Sequence, residues 1–577
     1  MKKDQSMDIV DTLTVSNEQN AESCAIYYVP EAYEGDKRNV VGRQSAGSGF
    51  LDALIEHGGQ ETMRCIVDSS RTHEEFKKRV AAVDARMTTK MVSAGDYGQM
   101  REAGCLFTPG PLVADSAWTR RYSVGERCHS ICGITHSIAT ERVIRSIRDL
   151  MLAPTQAWDA LICTSPAVRD ATDKVIEIWN EYLESRGMKS IRPPVQLPVI
   201  PLGVNLEKFS RTDEALEKGR QLRQRLGIAP EDIVVLHFGR FDFRSKLHPS
   251  PVFRSMELAR CIYRKSRLHL LMVGQFSDQA TAANFQAAQR LYCSDLPVHW
   301  IDGADIPAAQ ASWTAADIFI SLSDNVQESF GMTPVEAMAA QLPGVVSDWD
   351  GYKSTVIDGD TGFRIPTLMA PPGAGIDLAD AHARGAIDHY AFIAHVSQST
   401  AIDIDVCAAR IAHLAQDGDL RRRMGEAAHQ RARSVYDWRI VIQSYRELWR
   451  ELSELRAHVP ALSERRRDQE TVHPDYPDLF RMFGAYPTAT LTDDMLVEWA
   501  DADAFTALRR SRMIPMDQYS LPVMLDHGAT DGLVALLERG PRSVGEIARI
   551  CGITDMKRLN RTLVRLYKFG VLKINIQ

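Results

Sequence analysis

At 577 residues the chain is too long for one hydrophobic core and should divide into about three or four domains of ~150 residues. Its 45% hydrophobic and 25% charged content is ordinary for a globular protein, and a net charge of -7 argues against a general nucleic-acid coat. Among the ten cysteines no C-x-x-C pair occurs, and Cys128 and Cys132, the closest two, lack partners for zinc; reduced cytosolic thiols are expected.

Residues 1–22 carry two lysines, then acidic and polar residues with no apolar core, and read as a disordered leader rather than a signal peptide. No stretch approaches the ~18–20 apolar residues of a membrane span, so a cytoplasmic or membrane-peripheral protein is expected. Residues 23–203 alternate short apolar runs with helical patterns, the signature of a parallel sheet with crossover helices. CAIYYVP, MRCIVDSS, CLFTPG, CGITHSI and ALICTSP are the strand candidates, and GRQSAGSGF (Gly42–Phe50) reads as a glycine-rich loop entering a helix. The proline-rich PPVQLPVIPLGVN is the passage to a second α/β set over 204–433. There DIVVLHFGR, LHLLMVGQ, VHWIDG, DIFISLS and PGVVSDWDG read as strands. Two such series predict two Rossmann-like domains facing one another across a cleft, with ligand sites at the strands' C-terminal ends. An amphipathic helix follows at 434–457, then a linker and helical segment at 458–520. Residues 521–577 carry helix-turn-helix spacing with a minimal wing, a small, mostly α-helical, winged-helix-like domain.

Three stretches carry candidate chemistry. Gly47 and Gly49 in the first loop would let a diphosphate approach backbone and a helix N-terminus, although a glycine-rich turn also serves purely structural ends. Arg240 and Lys246, just after the strand DIVVLHFG, are two cations suited to a diphosphate and to charge growing on a leaving group. In QESFGMTPVE, Glu328 follows an apolar strand, Gly331 permits a tight turn, Pro334 fits a helix start, and Glu336 falls in that helix. Both carboxylates can accept vicinal hydroxyls, and the amides of Phe330, Gly331 and Met332 would face the cleft. Asp348 and Asp350 form a D-x-D, read as a loop.

The run Glu328 to Glu336 resembles the E-x7-E signature of retaining family-four glycosyltransferases with the GT-B fold. The glycine loop, the histidine of GITHS, VIPLGVNLEKF, the FGR…K pair, VIDGDTGFRIP and YDWRIVIQSYRELW follow in that family's order, so the resemblance covers roughly residues 24–457. It implies that Glu336 binds the nucleotide ribose, Glu328 the donor sugar, and Arg240 and Lys246 the diphosphate. Gly47 and Gly49 would close over the diphosphate, and His136 would stand near the anomeric centre. It also implies a nucleoside-diphosphate sugar as donor, UDP first and GDP next, front-face retention, no cofactor and no metal. The acceptor stays unidentified. Two departures stand out. Arg244 competes with Lys246 for the cationic role, and a proline-rich insertion after FRIPT is placed to shape a donor or acceptor rim.

In the tail, Lys557, Arg558, Arg561, Arg565 and Lys568 fall on the last helix, four of them at spacing that lines one face. A solvated face on a module for docking or self-association is favoured over nucleic-acid binding. The rival functional class is a non-catalytic nucleotide-sugar sensor acting through that helix-turn-helix.

Overall fold

The computed structural model describes residues 21–34, 42–461 and 473–575. Most of the expected leader and part of the linker lie outside them. The chain forms two compact units, one up to Glu470 and one from Thr471.

The first unit holds two six-stranded parallel sheets. One contains β1 (Ala25–Tyr27), β2 (Thr62–Ile66), β3 (Thr88–Met91), β4 (Cys105–Phe107), β5 (Ser130–Ile134) and β6 (Ala160–Ile162) in the order β3-β2-β1-β4-β5-β6. The other contains β7 (Ile233–Phe238), β8 (Leu268–Gly274), β9 (Val298–Asp302), β10 (Ile318–Ser321), β11 (Gly344–Ser347) and β12 (Gly362–Ile365) in the order β12-β11-β10-β7-β8-β9. Each sheet starts at its centre and reverses direction once, between β1 and β4 or between β7 and β10. Such a switch point leaves a crevice at the strands' C-terminal ends, the usual ligand position in open α/β sheets. Runs such as IVVLHF and LHLLMVG are buried almost throughout because helices cover both faces.

The proline-rich passage runs extended along β6, with bridges Ala160 to Gln196 and Cys163 to Val199. The long helix Trp438–His458 then packs on the first sheet, burying Trp438, Val441, Ile442, Tyr445, Leu448, Trp449 and Leu452 at helical spacing. The chain's return to that sheet is pinned where Val204 N–H donates to the Tyr436 carbonyl at 2.7 Å.

The expected loop Gly42–Phe50 is instead part of one continuous helix, Gly42–His57. Its glycines serve close packing. A Cβ on Gly47 would stand 2.1 Å from the Ala32 carbonyl oxygen, and one on Gly49 would stand 3.1 Å from the Trp438 ring. The same indole abuts Gly203, where a Cβ would fall 2.3 Å from Cδ2. Gly203→Ala should therefore cost about 1–3 kcal/mol through overpacking, read as a lower urea midpoint with unchanged m-value.

The insertion after β12 forms β13 (Thr367–Met369) and β14 (Thr400–Ile402), an antiparallel pair enclosing helices Ile376–Ala383 and His389–Gln398. In the second unit, β15 (Leu496–Trp499) lies between β16 (Arg542–Ser543) and β17 (Leu572–Ile574). This corrects the division at 520. Val497 and Leu508 belong to the same core as Leu533, Ile547 and Leu563, so the segment expected as linker supplies the central strand. The basic face of helix Met556–Lys568 is turned on its own chain. Arg558 donates to the Pro522 and Met524 carbonyls, Arg561 to that of Val523, and Arg565 to those of Ser511 and Asp517. Among the described residues no helix is long and apolar enough to cross a membrane.

Candidate active site

The predicted residues of the second sheet gather at its switch point. Past β7, Gly239 opens a loop that carries Arg240 and Lys246; past β10, the chain runs through Ser323, Asp324 and Asn325 to Glu328. Lys246 Nζ donates to Glu328 Oε2 at 3.2 Å, both side chains being partly exposed. Arg240 donates to Ser245 Oγ at 2.8 Å, and that hydroxyl in turn donates to Asp242. Arg244, the competitor for the cationic role, is held by Asp242 and Asp278. The ammonium that reaches the signature glutamate is therefore Lys246.

Three polar residues after β10 fasten the two loops together. Ser323 Oγ donates to the Lys246 carbonyl at 3.1 Å, Asn325 Nδ2 to the Arg244 carbonyl at 2.8 Å, and His248 N–H reaches the Asp324 carboxyl at 3.3 Å. Sequence reasoning missed this trio; its signal is three consecutive polar residues directly after an apolar buried strand. The insertion joins the same loop, since Asn325 also donates to Ser397 Oγ at 2.8 Å and Gln327 is hydrogen-bonded to His389 at 2.7 Å.

Gly331, at φ +82°, turns the chain into helix Met332–Ala339, which holds Pro334 and Glu336 as the spacing predicts. A side chain there is excluded twice over, because a Cβ would meet the Tyr352 ring at 2.1 Å. Phe330 buries its ring in the core beside Tyr436, and Met332 packs partly buried against the same core. Ser165, just past β6, donates to the Ser329 carbonyl at 2.9 Å, which brings the first sheet's edge onto the signature loop. His136 stands on that first sheet, two residues past the end of β5 and partly buried. Gly47 and Gly49 lie inside a helix packed on Ala32 and Trp438, as described above.

Three carboxyls of this region are pushed upward, each mainly by loss of water. Glu336 reaches about 7 although the residue keeps some exposure, with Lys208 pulling the other way. Asp324 reaches about 7. Asp350 reaches about 8, raised further by the neighbouring Glu328 charge. A carboxyl with a raised folded pKa contributes stability fully below its unfolded value and loses it as pH climbs through the folded value. The buried histidines, shifted down, act only below about 6.5. Between pH ~6.5 and ~8.5 the Tm of the ligand-free protein should therefore fall. Glu336→Gln should flatten that slope in a thermal-melt series.

Residues 219–369 match the family described as glycosyl transferases group 1. The chain carries a group 1 glycosyltransferase domain. That domain spans β7 to β13 and contains Arg240, Lys246, Glu328 and Glu336. The glycosyltransferase is 26% identical over 320 residues to a D-inositol 3-phosphate glycosyltransferase of Kineococcus radiotolerans, covering 51% of this chain and 71% of that protein. It is 26% identical over 228 residues to an alpha-monoglucosyldiacylglycerol synthase of Streptococcus pneumoniae, covering 38% of this chain and 45% of the relative. With a putative glycosyltransferase EpsD of Bacillus subtilis it shares 25% identity, and spans only 52% of that protein. Among solved structures, the Anabaena HepE protein in complex with UDP-glucose aligns over 74% of this chain and 98% of its own at 16% identity, with a TM-score of 0.46.

Proposed function

We propose that this chain transfers a hexosyl group from a nucleoside-diphosphate sugar, UDP-linked first and GDP-linked next, to an acceptor with retention at the anomeric carbon. The observation that carries the reading is the Lys246–Glu328 contact at 3.2 Å on the switch point of the second sheet. An ammonium beside a carboxylate suits a substrate in which a phosphate adjoins a hydroxylated ring, the phosphate taking the cation and the hydroxyls the anion. Arg240 and Lys246 hold the diphosphate and neutralise the charge that develops as the sugar–phosphate bond breaks. Glu328 accepts from hydroxyls of the transferred sugar. Glu336, eight residues on and inside the helix that follows, accepts from the ribose hydroxyls. The amides of Phe330, Gly331 and Met332 lie at the start of that helix, suited to phosphate oxygens. His136, from the other sheet, is assigned to the anomeric centre, whereas Gly47 and Gly49, packed inside their helix on Ala32 and Trp438, are given no part in holding the diphosphate. With two cations at the leaving group, no metal is required.

Two of these relatives are named for different molecules, D-inositol 3-phosphate in one and the product monoglucosyldiacylglycerol in the other. The acceptor of this chain is therefore assigned no class. Because Arg558, Arg561 and Arg565 are engaged by backbone carbonyls of residues 511–524, we assign the second unit to protein contacts or self-association rather than to nucleic acid.

Incubation with a panel of UDP- and GDP-sugars in EDTA, reading released nucleoside diphosphate, tests the reaction. Turnover of at least one donor is expected; tight binding with no turnover would favour the sensor, and neither would end the proposal. Glu336→Ala should weaken donor affinity ~10–100-fold by titration calorimetry, the worth of one or two charge-assisted hydrogen bonds.

A further inference from the structure

We infer that Asn325 is a positioning residue of the transfer site: it sets the separation of Lys246 and Glu328, and through Ser397 it makes the insertion part of that machinery. The inference rests on the transferase reading above and goes beyond it in naming a residue that acts on the reaction only through the two charged groups it places.

Asn325 lies four residues past β10 and is completely buried, yet each of its side-chain polar atoms is used. Its Nδ2 donates to the Arg244 carbonyl and to Ser397 Oγ, each at 2.8 Å. Its Oδ1 accepts from the Gln327 amide at 2.9 Å. Its backbone carbonyl accepts from the Glu328 amide at 3.2 Å and from Trp349 Nε1 at 3.1 Å. One residue therefore ties together the loop after β7, the signature loop, the loop after β11 and the helix His389–Gln398. Ser397 Oγ passes its own proton to the Ile393 carbonyl at 3.0 Å, so it serves as the acceptor towards Asn325.

The bonds fall beside the two charged side chains. Arg244 stands two residues before Lys246, whose own amide donates to the Asp242 carbonyl at 2.9 Å. Glu328 is bonded to Asn325 directly through its amide. The 3.2 Å contact from Lys246 Nζ to Glu328 Oε2 thus joins two stretches of backbone that are both held by Asn325. The position calls for a carboxamide. The Gln327 N–H needs an acceptor and the Arg244 carbonyl needs a donor, so the two backbone partners fix which way the amide points. Aspartate has the same shape but would turn an oxygen towards the Arg244 carbonyl, and burial leaves no water to mend the mismatch. A shift of the cation relative to the sugar-binding carboxylate then costs rate, because the donor's phosphate and its sugar are no longer held at the spacing the reaction needs.

The test is a double-mutant cycle on the donor that the wild-type chain turns over in the panel above, with kcat and KM measured for wild type, Asn325→Asp, Lys246→Ala and the double variant. Asn325→Asp should lower kcat about 10–100-fold and shift donor KM by less than about threefold. With Lys246 already removed there is no separation left to set, so adding Asn325→Asp should cost less than about threefold more. A loss of the same size in both backgrounds would overturn the role and mark Asn325 as a purely structural residue; an unchanged kcat in Asn325→Asp would overturn it too. If Asn325→Asp melts too low to assay, Ser397→Ala, which removes one of the two acceptors, takes its place in the cycle. A loss of about threefold or more that vanishes beside Lys246→Ala supports the inference; no loss, or an equal loss in both backgrounds, overturns it. A wild-type chain that turns over no donor is a different result, which ends the transferase reading and this inference with it.

Discussion

Lys246→Ala is expected to lower kcat for donor turnover by ~10²–10³-fold, the usual worth of one preorganised charge aimed at a developing anion. The leaving diphosphate gains negative charge as the glycosidic bond lengthens, and Lys246 is the cation of the 240–248 loop that reaches the signature loop. Its contribution should appear mostly in kcat, because the charge it meets is larger in the transition state than in the bound donor. The side chain is partly exposed, so stability should change little, and a normal thermal melt separates lost chemistry from lost fold. Lys246→Arg should recover only part of the rate, since a guanidinium fork does not reproduce a compact ammonium. Single-turnover release of nucleoside diphosphate reads both variants; wild-type rates in Lys246→Ala would remove the residue from the site.

The largest structural effect should follow Asp159→Ala. Arg120, on helix Val113–Ser123, meets Asp159 in a two-pronged contact at 2.6 and 2.7 Å with both side chains sealed from solvent. Asp159 also accepts from the Ile131 and Gln156 amides, and Arg120 donates to the His129 carbonyl. Truncating the acid strands a guanidinium and two amides together, at a cost of about 3–5 kcal/mol. The expected result is a Tm lower by roughly 10 °C, with poor soluble yield. The paired replacement Arg120→Met with Asp159→Leu should regain much of the loss, because removing both charges removes the stranded one. A single variant that melts like wild type would show that water reaches the site.

How much of this was legible in the sequence differs from element to element. β7, β8 and β10 announce themselves as mostly apolar runs, since both faces are covered, and the strand–turn–helix at Glu328 follows from an apolar strand, a glycine and a proline in fixed order. β3 (TTKM) is an edge strand with mostly exposed side chains, and β12 (GFRI) is a short edge strand starting on glycine; neither has a periodicity to read. The glycines of Gly42–Phe50 suggest a loop by composition, yet they sit in a helix because Ala32 and Trp438 press against it, a tertiary fact. Arg244 and Lys246 cannot be ranked from spacing alone; only the positions of Asp242, Asp278 and Glu328 separate them. Asp350 shows in the sequence only as half of a D-x-D read as a loop; its left-handed backbone, and the packing of the next two residues, Gly351 and Tyr352, on Phe330 and Gly331, are tertiary facts. β15 escaped notice inside a segment whose prolines and charges read as linker.

The insertion's attachment to Asn325 and Gln327 bears on how such a chain can be re-engineered. Transplanting residues 325–336 alone into another scaffold would cut both hydrogen bonds to the hairpin and leave buried Asn325 without its two acceptors, Ser397 Oγ and the Arg244 carbonyl. The loop and helix His389–Gln398 form one inheritable cassette. Variation introduced only along that helix, whose His389 and Ser397 bond the residues just before Glu328, offers a route to altered donor preference without editing the catalytic loop itself.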